Sequence, residues 1–435
     1  SLLGGFFFIF NIILQLVISK NFFAKGYLIL FTISIYMYWF ELYDRVAIQY
    51  FLISTITLLS LIVIPFIFKP KEIKQAIFDP LSLIFAGYLF FAFLSTTASI
   101  NIIESFVKLG QLVSFYLSLL IMLLIAKQKL VKINFILLLF AITLIIDVGW
   151  SLAGYYYMYK LNVNYSYSNI EGLLGLFGNR NLTSAAILFR LPLLILLALR
   201  LNKIYLYIPT FIFITICFFN LFLLSSRAAL LSIILCLGYF FIILFYRLIK
   251  TNTKLLSLNR GMLLLFILPL LIAYYISTNV ISADDYGNVN SRVASIASTE
   301  DESKNRRLLF YGHAITNLKE NPLFGCGIGN WKILSIKYDA ENMENYVVPY
   351  NAHNDILEAA TETGIFGGIL FFGFFILLFY LIFKGINFNT HNLYDYSYML
   401  FAPMPFIVYF VDLNLNFPSY RPFNQWLLLF FIIII

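Results

Sequence analysis

Apolar runs of about 15 to 23 residues recur along the chain, parted by short polar breaks. A helix needs roughly 20 residues to cross the hydrocarbon core, so the runs predict membrane-spanning helices. They are continuous rather than alternating, which sets aside a β-barrel. The pattern yields about thirteen spans: 2–19, 26–41, 47–68, 80–97, 105–126, 133–154, 183–199, 204–222, 227–246, 261–279, 364–383, 396–411 and 423–435. One polar interruption, residues 280–357, is long. It holds Arg306-Arg307, the run NPLFGCGIGNW (Asn321 to Trp331) and the start of HNDILEAATETG (His353 to Gly364).

Within that interruption the spacing of Leu308, Leu309, Tyr311, Ile315 and Leu318 predicts an amphipathic helix from about Arg306 to Lys319, its apolar stripe in the membrane interface. Asn321-Pro322 stops it, and Gly325, Gly327 and Gly329 follow. A second short helix is expected from near His353 to about Gly364. A smaller polar loop, about 155–182, is rich in Tyr and Asn and closes on GLFGNRNLTSA. With no Ser-, Pro- or Gly-rich linker and no internal repeat, residues 1–435 read as a single membrane domain. The chain opens on Ser1 without a Met and stops in IIII at Ile435, so it reads as a piece of a longer protein. The first span has no visible basic flank or clear cleavage site and reads as a retained helix.

Composition agrees: 61% hydrophobic residues, 11% charged and a mean hydropathy of +0.89 exclude a soluble globular protein. Charge then orients the chain. Alternate short loops hold Lys20 and Lys25; Lys69, Lys71 and Lys74; Lys127, Lys129 and Lys132; Arg200 and Lys203; Arg247, Lys250, Lys254 and Arg260; and Lys384, which is 15 of the 29 Lys and Arg residues. The positive-inside bias assigns these to the cytoplasm. The 280–357 loop, the 155–182 loop and Arg227 then share the opposite face. The pI near 9.1 comes mostly from those loops, and no basic helix stands apart from the membrane to suggest nucleic-acid binding. The long loop itself counts ten acidic against seven basic residues. Cys217, Cys236 and Cys326 make no disulfide framework.

Few residues can carry chemistry. Arg227, in LLSSRAALL at the mouth of a span, reads either as a phosphate clamp or as an interfacial arginine. Arg306 and Arg307 would lie at headgroup height, clamping a diphosphate or simply meeting lipid phosphate. His353, at a helix start, can take a proton from a hydroxyl near neutral pH, or can be a loop histidine satisfied by backbone. His313 and His391 fit a catalytic role less well. No Asp-x-Asp pair near a membrane mouth and no His–Glu–His cluster suggests a metal, and Asp284-Asp285 and Glu300-Asp301-Glu302 read as solvated loop. Asp147 and Arg190 lie inside spans, as a structural pair or an ion path. Asp412 and Arg421 flank DLNLNFPSYRP in the last outer loop, in a catalytic or interfacial role.

Taken in order, the SSR turn leading a helix, the Arg-L-x-x-aromatic helix running into ENPLFGCGIGNW, and HND-x-L-E-x-x-x-ETGIFG leading a span resemble the O-antigen ligase and polymerase superfamily, which includes bacterial protein O-oligosaccharyltransferases. GNRNLTSAAI and SINIIESF are similar too, so the resemblance covers about residues 90–430. It implies an all-α polytopic fold of about 12–13 transmembrane helices, similar to the GT-C glycosyltransferases, with one long periplasmic loop containing short amphipathic helices. It further implies an inverting, metal-independent glycosyltransferase of the bacterial inner membrane, without a cofactor and active on the periplasmic face. The donor would be an undecaprenyl-diphosphate glycan, and the acceptor a hydroxyl of lipid A-core, glycan or protein Ser/Thr. By motif alignment His353 takes the essential histidine and Arg227 and Arg307 the diphosphate-binding arginines. Arg307 is preferred to Arg306 because Tyr311 then falls where the family usually has Trp. Arg180 matches a basic position of similar sequences. The alternative is a lipid-linked glycan flippase or exporter using Arg190 and Asp147.

Overall fold

The structure, a computed structural model, describes residues 19–37, 44–160, 174–250, 256–279, 290, 302–340, 349–386, 388 and 393–435, and among these all regular structure is helical. In chain order the helices are α1 (Lys20–Tyr36), α2 (Arg45–Ile67), α3 (Pro70–Ile77), α4 (Pro80–Ser95), α5 (Ile102–Lys127), α6 (Ile133–Lys160), α7 (Arg180–Leu201), α8 (Ile204–Leu224), α9 (Arg227–Lys250), α10 (Leu256–Asn279), α11 (Glu302–Glu320), α12 (Trp331–Asp339), α13 (Asp355–Lys384), α14 (Leu393–Phe401), α15 (Pro403–Leu415) and α16 (Pro422–Ile432). Among the described residues nine spans are long and apolar enough to cross a membrane, α14 and α15 joining as one; Leu264–Asn279 and α16 are shorter apolar helices. The chain is an all-α polytopic membrane protein. The expected spans from 47–68 to 423–435 fall on helices, 396–411 on α14 and α15 together. Residues 26–36 of the expected span 26–41 fall on the 17-residue α1, residues 38–41 lying outside the described residues. The expected span 2–19 lies outside the described residues except Ser19, which caps α1.

Helix ends follow local chemistry. Asp44, Asp79, Asn101 and Asn179 cap α2, α4, α5 and α7, each side chain accepting from the first free N–H groups. Proline, which needs no donor in the first turn, opens α3, α4, α15 and α16.

The chain divides into two compact units. The second comprises Leu137–Arg307 and Leu381–Pro418. At its centre α7 packs on α8, α9, α14 and α15 and is almost wholly buried. Arg190 sits midway along α7, with Nη2 2.5 Å from Asp147 Oδ2 on α6 and Nε donating to the Ala186 carbonyl at 2.8 Å. Both side chains are fully enclosed, so each charge offsets the other where neither could be solvated. This is the structural pair that the sequence left open.

The first unit comprises Ser1–Ile136, Leu308–Tyr380 and Ser419–Ile435. Here α5 packs on α2, α3, α4 and α16. A break in α13 organises the polar segment: Gly364 takes φ 79° and ψ 177°. In a continuous helix the Ile365 N–H would donate to the Thr361 carbonyl, four residues back. Instead it donates to the Pro322 carbonyl at 2.9 Å, and the Thr361 carbonyl accepts from Cys326 N–H at 3.0 Å and Asn317 Nδ2 at 3.1 Å. The NPLFGC turn is spliced into the helix ladder, so the break leaves these backbone groups partnered. The membrane-spanning stretch begins at Ile365, and residues 355–363 form a separate short helix ahead of it, much as the pattern predicted.

Candidate active site

The amphipathic helix is present as α11, and besides the expected apolar stripe it carries a second apolar side that packs into the protein. Phe310 and Ala314 are buried in a cluster with Cys326, Trp331, Leu334 and Ala352. Leu308, Leu309 and Ile315 are 57%, 36% and 45% exposed, while Tyr311 and Leu318 are half-buried. The nine-residue α12, not expected from the sequence, brings Trp331 and Leu334 against the side of α11 that carries Phe310. Of the segments expected to be solvated, Asp284-Asp285, Glu300 and Asp301 lie outside the described residues, as does His391.

The glycine run closes against the SINIIESF segment. Asn101 N–H donates to Asn330 Oδ1 at 2.7 Å, Ser105 Oγ to the Ile328 carbonyl at 2.6 Å, and Lys332 Nζ lies 2.7 Å from Glu104 Oε2. Gly327, at φ 89°, lies against Ser99 so closely that a side chain would overlap it. Two stretches more than 220 residues apart, each noted separately in the sequence, thus form one structure. Cys326 is enclosed here, and burial pushes its thiol well above the ordinary range. That is an inert thiol.

His353 precedes α13 with φ 57°. Tyr311 Oη donates to its carbonyl at 3.1 Å, and the preceding N–H, of Ala352, donates to Glu358 Oε2 at 2.6 Å. Asn354 then opens the helix, its Oδ1 accepting from Leu357 N–H at 3.0 Å and its carbonyl from Glu358 N–H at 2.9 Å. His313, one of the lesser histidines, stacks on Tyr338 at 5.5 Å.

Behind this loop lies a set of polar residues to which the sequence reading gave no role. Asp355, Glu358 and Glu362 occupy one face of the short helix, all buried. Asp355 Oδ2 accepts from the Ser419 N–H at 2.9 Å and from its hydroxyl at 2.5 Å. Glu362 Oε1 accepts from Trp331 N–H at 2.9 Å. Buried Lys108 of α5 shares their small cavity with Tyr88, Ser419 and Tyr420, its Nζ 3.0 Å from the Tyr420 ring centroid. Burial, reinforced by Glu358 and Glu362, pushes the Tyr420 hydroxyl well above its usual range. Buried carboxylates survive only when paired or hydrogen-bonded, and each of these ties a different loop to the helix. Their spacing of three and four residues was the available signal, because it puts all three on one helix face. Among the described residues no group of three or more His, Cys, Asp or Glu side chains could hold a metal ion.

The arginines are distributed over both units. In the second unit Arg180 is the first residue of α7 and Arg227 the first of α9, both half-buried. Ser226 Oγ donates to Asn181 Oδ1 at 2.8 Å, which ties the two helix starts together. Helix N-termini carry partial positive charge, so the two arginines and two helix starts make a corner of positive potential. Arg306 is exposed and Arg307 half-buried on α11, Arg307 one turn before Tyr311. Asp412 is buried, its Oδ1 accepting from Asn416 Nδ2 at 2.6 Å within the same helix end. Arg421, in the first unit, is the N-terminal cap residue of α16; burial lowers its pKa, against the pull of Tyr50 and Asp44.

These features define a multi-pass helical membrane protein in which each unit gathers polar residues at loops and helix starts. Residues 211–372 match the family model described as O-antigen ligase (Wzy_C), so the chain carries the domain of the ligase and polymerase superfamily that its motifs resemble. The matched segment holds Arg227, Arg306, Arg307 and His353. It is a membrane glycan-transferring enzyme of the ligase and polymerase type. No curated protein compared with the chain matches it.

Proposed function

We propose that this enzyme transfers a glycan from an undecaprenyl-diphosphate donor to an acceptor hydroxyl on the periplasmic face of the bacterial inner membrane. The observation that carries the reading is the O-antigen ligase match over the segment with Arg227, Arg307 and His353. The tied starts of α7 and α9 support the donor assignment, since they gather positive charge at two helix N-termini.

The acceptor oxygen attacks the anomeric carbon from the face opposite the diphosphate, a new C–O bond forms, and the bond to the diphosphate oxygen breaks with inversion. His353 takes the hydroxyl proton as general base. Arg227 and Arg307, with Arg306 and Arg180 alongside, offset the charge that grows on the leaving diphosphate, which is how the reaction dispenses with a metal. Lipid A-core, a growing glycan and protein Ser or Thr all offer the same hydroxyl chemistry.

Glycan transfer in reconstituted vesicles with purified donor tests this. His353→Ala should abolish turnover and keep donor binding, while Arg227→Ala and Arg307→Ala should weaken donor binding. Full activity in His353→Ala, or unchanged donor affinity in both arginine variants, contradicts the mechanism. Mass spectrometry of the modified molecule identifies the acceptor.

A further inference from the structure

Four described non-glycine residues have positive φ: Lys129, Asn202, Ser225 and His353. Asn202 and Ser225 are the C-terminal cap residues of α7 and α8, and Lys129 follows the end of α5. There a left-handed residue closes the helix by a common local motif. His353 is different, because it stands two residues before a helix begins, where no such motif calls for that conformation. A left-handed non-glycine residue is disfavoured and persists only when its surroundings hold it.

Two contacts grip this position within the first unit. Glu358, one turn into α13 and almost wholly buried, accepts the Ala352 N–H at 2.6 Å, which fixes the chain just before the histidine. Tyr311 on α11 donates its hydroxyl to the His353 carbonyl at 3.1 Å, which fixes the peptide just after. The bond to Glu358 is the shorter and so the stronger of the two. Glu358 itself is fixed by its helix, whose neighbouring carboxylates Asp355 and Glu362 bond to the Ser419 and Trp331 backbone.

We propose that Glu358 is a positioning residue for His353, holding the histidine in its left-handed conformation through the Ala352 N–H, with Tyr311 as the secondary clamp. The proposal rests on the reading of His353 as general base. A base displaced by an ångström loses rate without losing the substrate's binding contacts elsewhere, so the signature is a fall in kcat at unchanged donor affinity.

The test compares Glu358→Ala, Glu358→Gln and Tyr311→Phe with wild type in the vesicle transfer assay, alongside donor binding. Glu358→Ala should lower kcat by about 10- to 100-fold with donor affinity unchanged. Glu358→Gln, whose amide oxygen still accepts the N–H, should stay within about threefold of wild type, and Tyr311→Phe should lose about 2- to 10-fold. Wild-type kcat in Glu358→Ala overturns the proposal, as does equal loss in the Ala and Gln variants, which would assign the effect to charge. Should the Ala variant fail to fold, Tyr311→Phe decides: an unchanged kcat there overturns the clamp. A fully active His353→Ala instead removes the reading of the histidine on which all of this stands. An inactive His353→Ala beside unaffected Glu358→Ala and Tyr311→Phe removes the positioning role alone.

Discussion

Gly364→Ala is the sharpest perturbation of this architecture. The backbone there, φ 79° and ψ 177°, is a region that only glycine enters freely, and another residue would be strained by about 1–3 kcal/mol. The added Cβ would also overlap the Leu323 carbonyl, so the NPLFGC turn would have to withdraw. Withdrawal breaks Ile365 N–H to Pro322 (2.9 Å) and Cys326 N–H to Thr361 (3.0 Å), each worth about 0.5–1.5 kcal/mol net. The total is about 2–6 kcal/mol. Part is recovered if Ile365 N–H closes onto Thr361, as in an unbroken helix. Alanine is therefore expected to straighten α13 and expel the turn. Cys326, buried in that turn, reports the change: with Cys217 and Cys236 replaced by Ser, its labelling by a maleimide should be slow in wild type and fast in Gly364→Ala. Gly373→Ala is the control, since nothing lies near its added Cβ and its backbone is helical. A Gly364→Ala protein with wild-type melting temperature and protected Cys326 would refute the spliced-helix account.

Breaking the Arg190–Asp147 pair by Arg190→Met should destabilise the detergent-solubilised protein by about 3–5 kcal/mol, because Asp147 stays buried without its partner; adding Asp147→Asn should restore part of this, and an Arg190→Met protein as stable as wild type would deny the pair a structural role. Glu72 predicts an acid response. Its hydrogen bond with Lys20 holds its carboxyl below the ordinary glutamate range, so the stabilisation is complete above that range and is lost as the pH falls through the lowered value. Lys20→Met should flatten the fall of melting temperature on acidification, and an unchanged slope would show the pair to be inconsequential.

Much of this was readable from the sequence. Apolar runs marked the spans, and Gly364 marked the point where the short helix ends. The packed face of α11 was not readable. Its sequence offers two sets of apolar positions, and Phe310 won burial only because α12 and Ala352 came to lie beside it. Lys108 was not readable either, because Asp355, Glu358 and Glu362, which share its cavity, lie far away in sequence.

Sequence alone determined that the chain is a helical membrane protein with one long polar segment, and it supplied the motifs of a glycan-transferring family. The membrane helices follow from apolar run length and from the desolvation of backbone and charge, which act within a single segment, while the family rests on the resemblance of the motifs. Tertiary structure decided what holds His353 in place, which loop each of Asp355, Glu358 and Glu362 secures, and that Asn101 meets Asn330 across 229 residues. A buried polar group needs a partner, and which one it finds depends on how the helices pack.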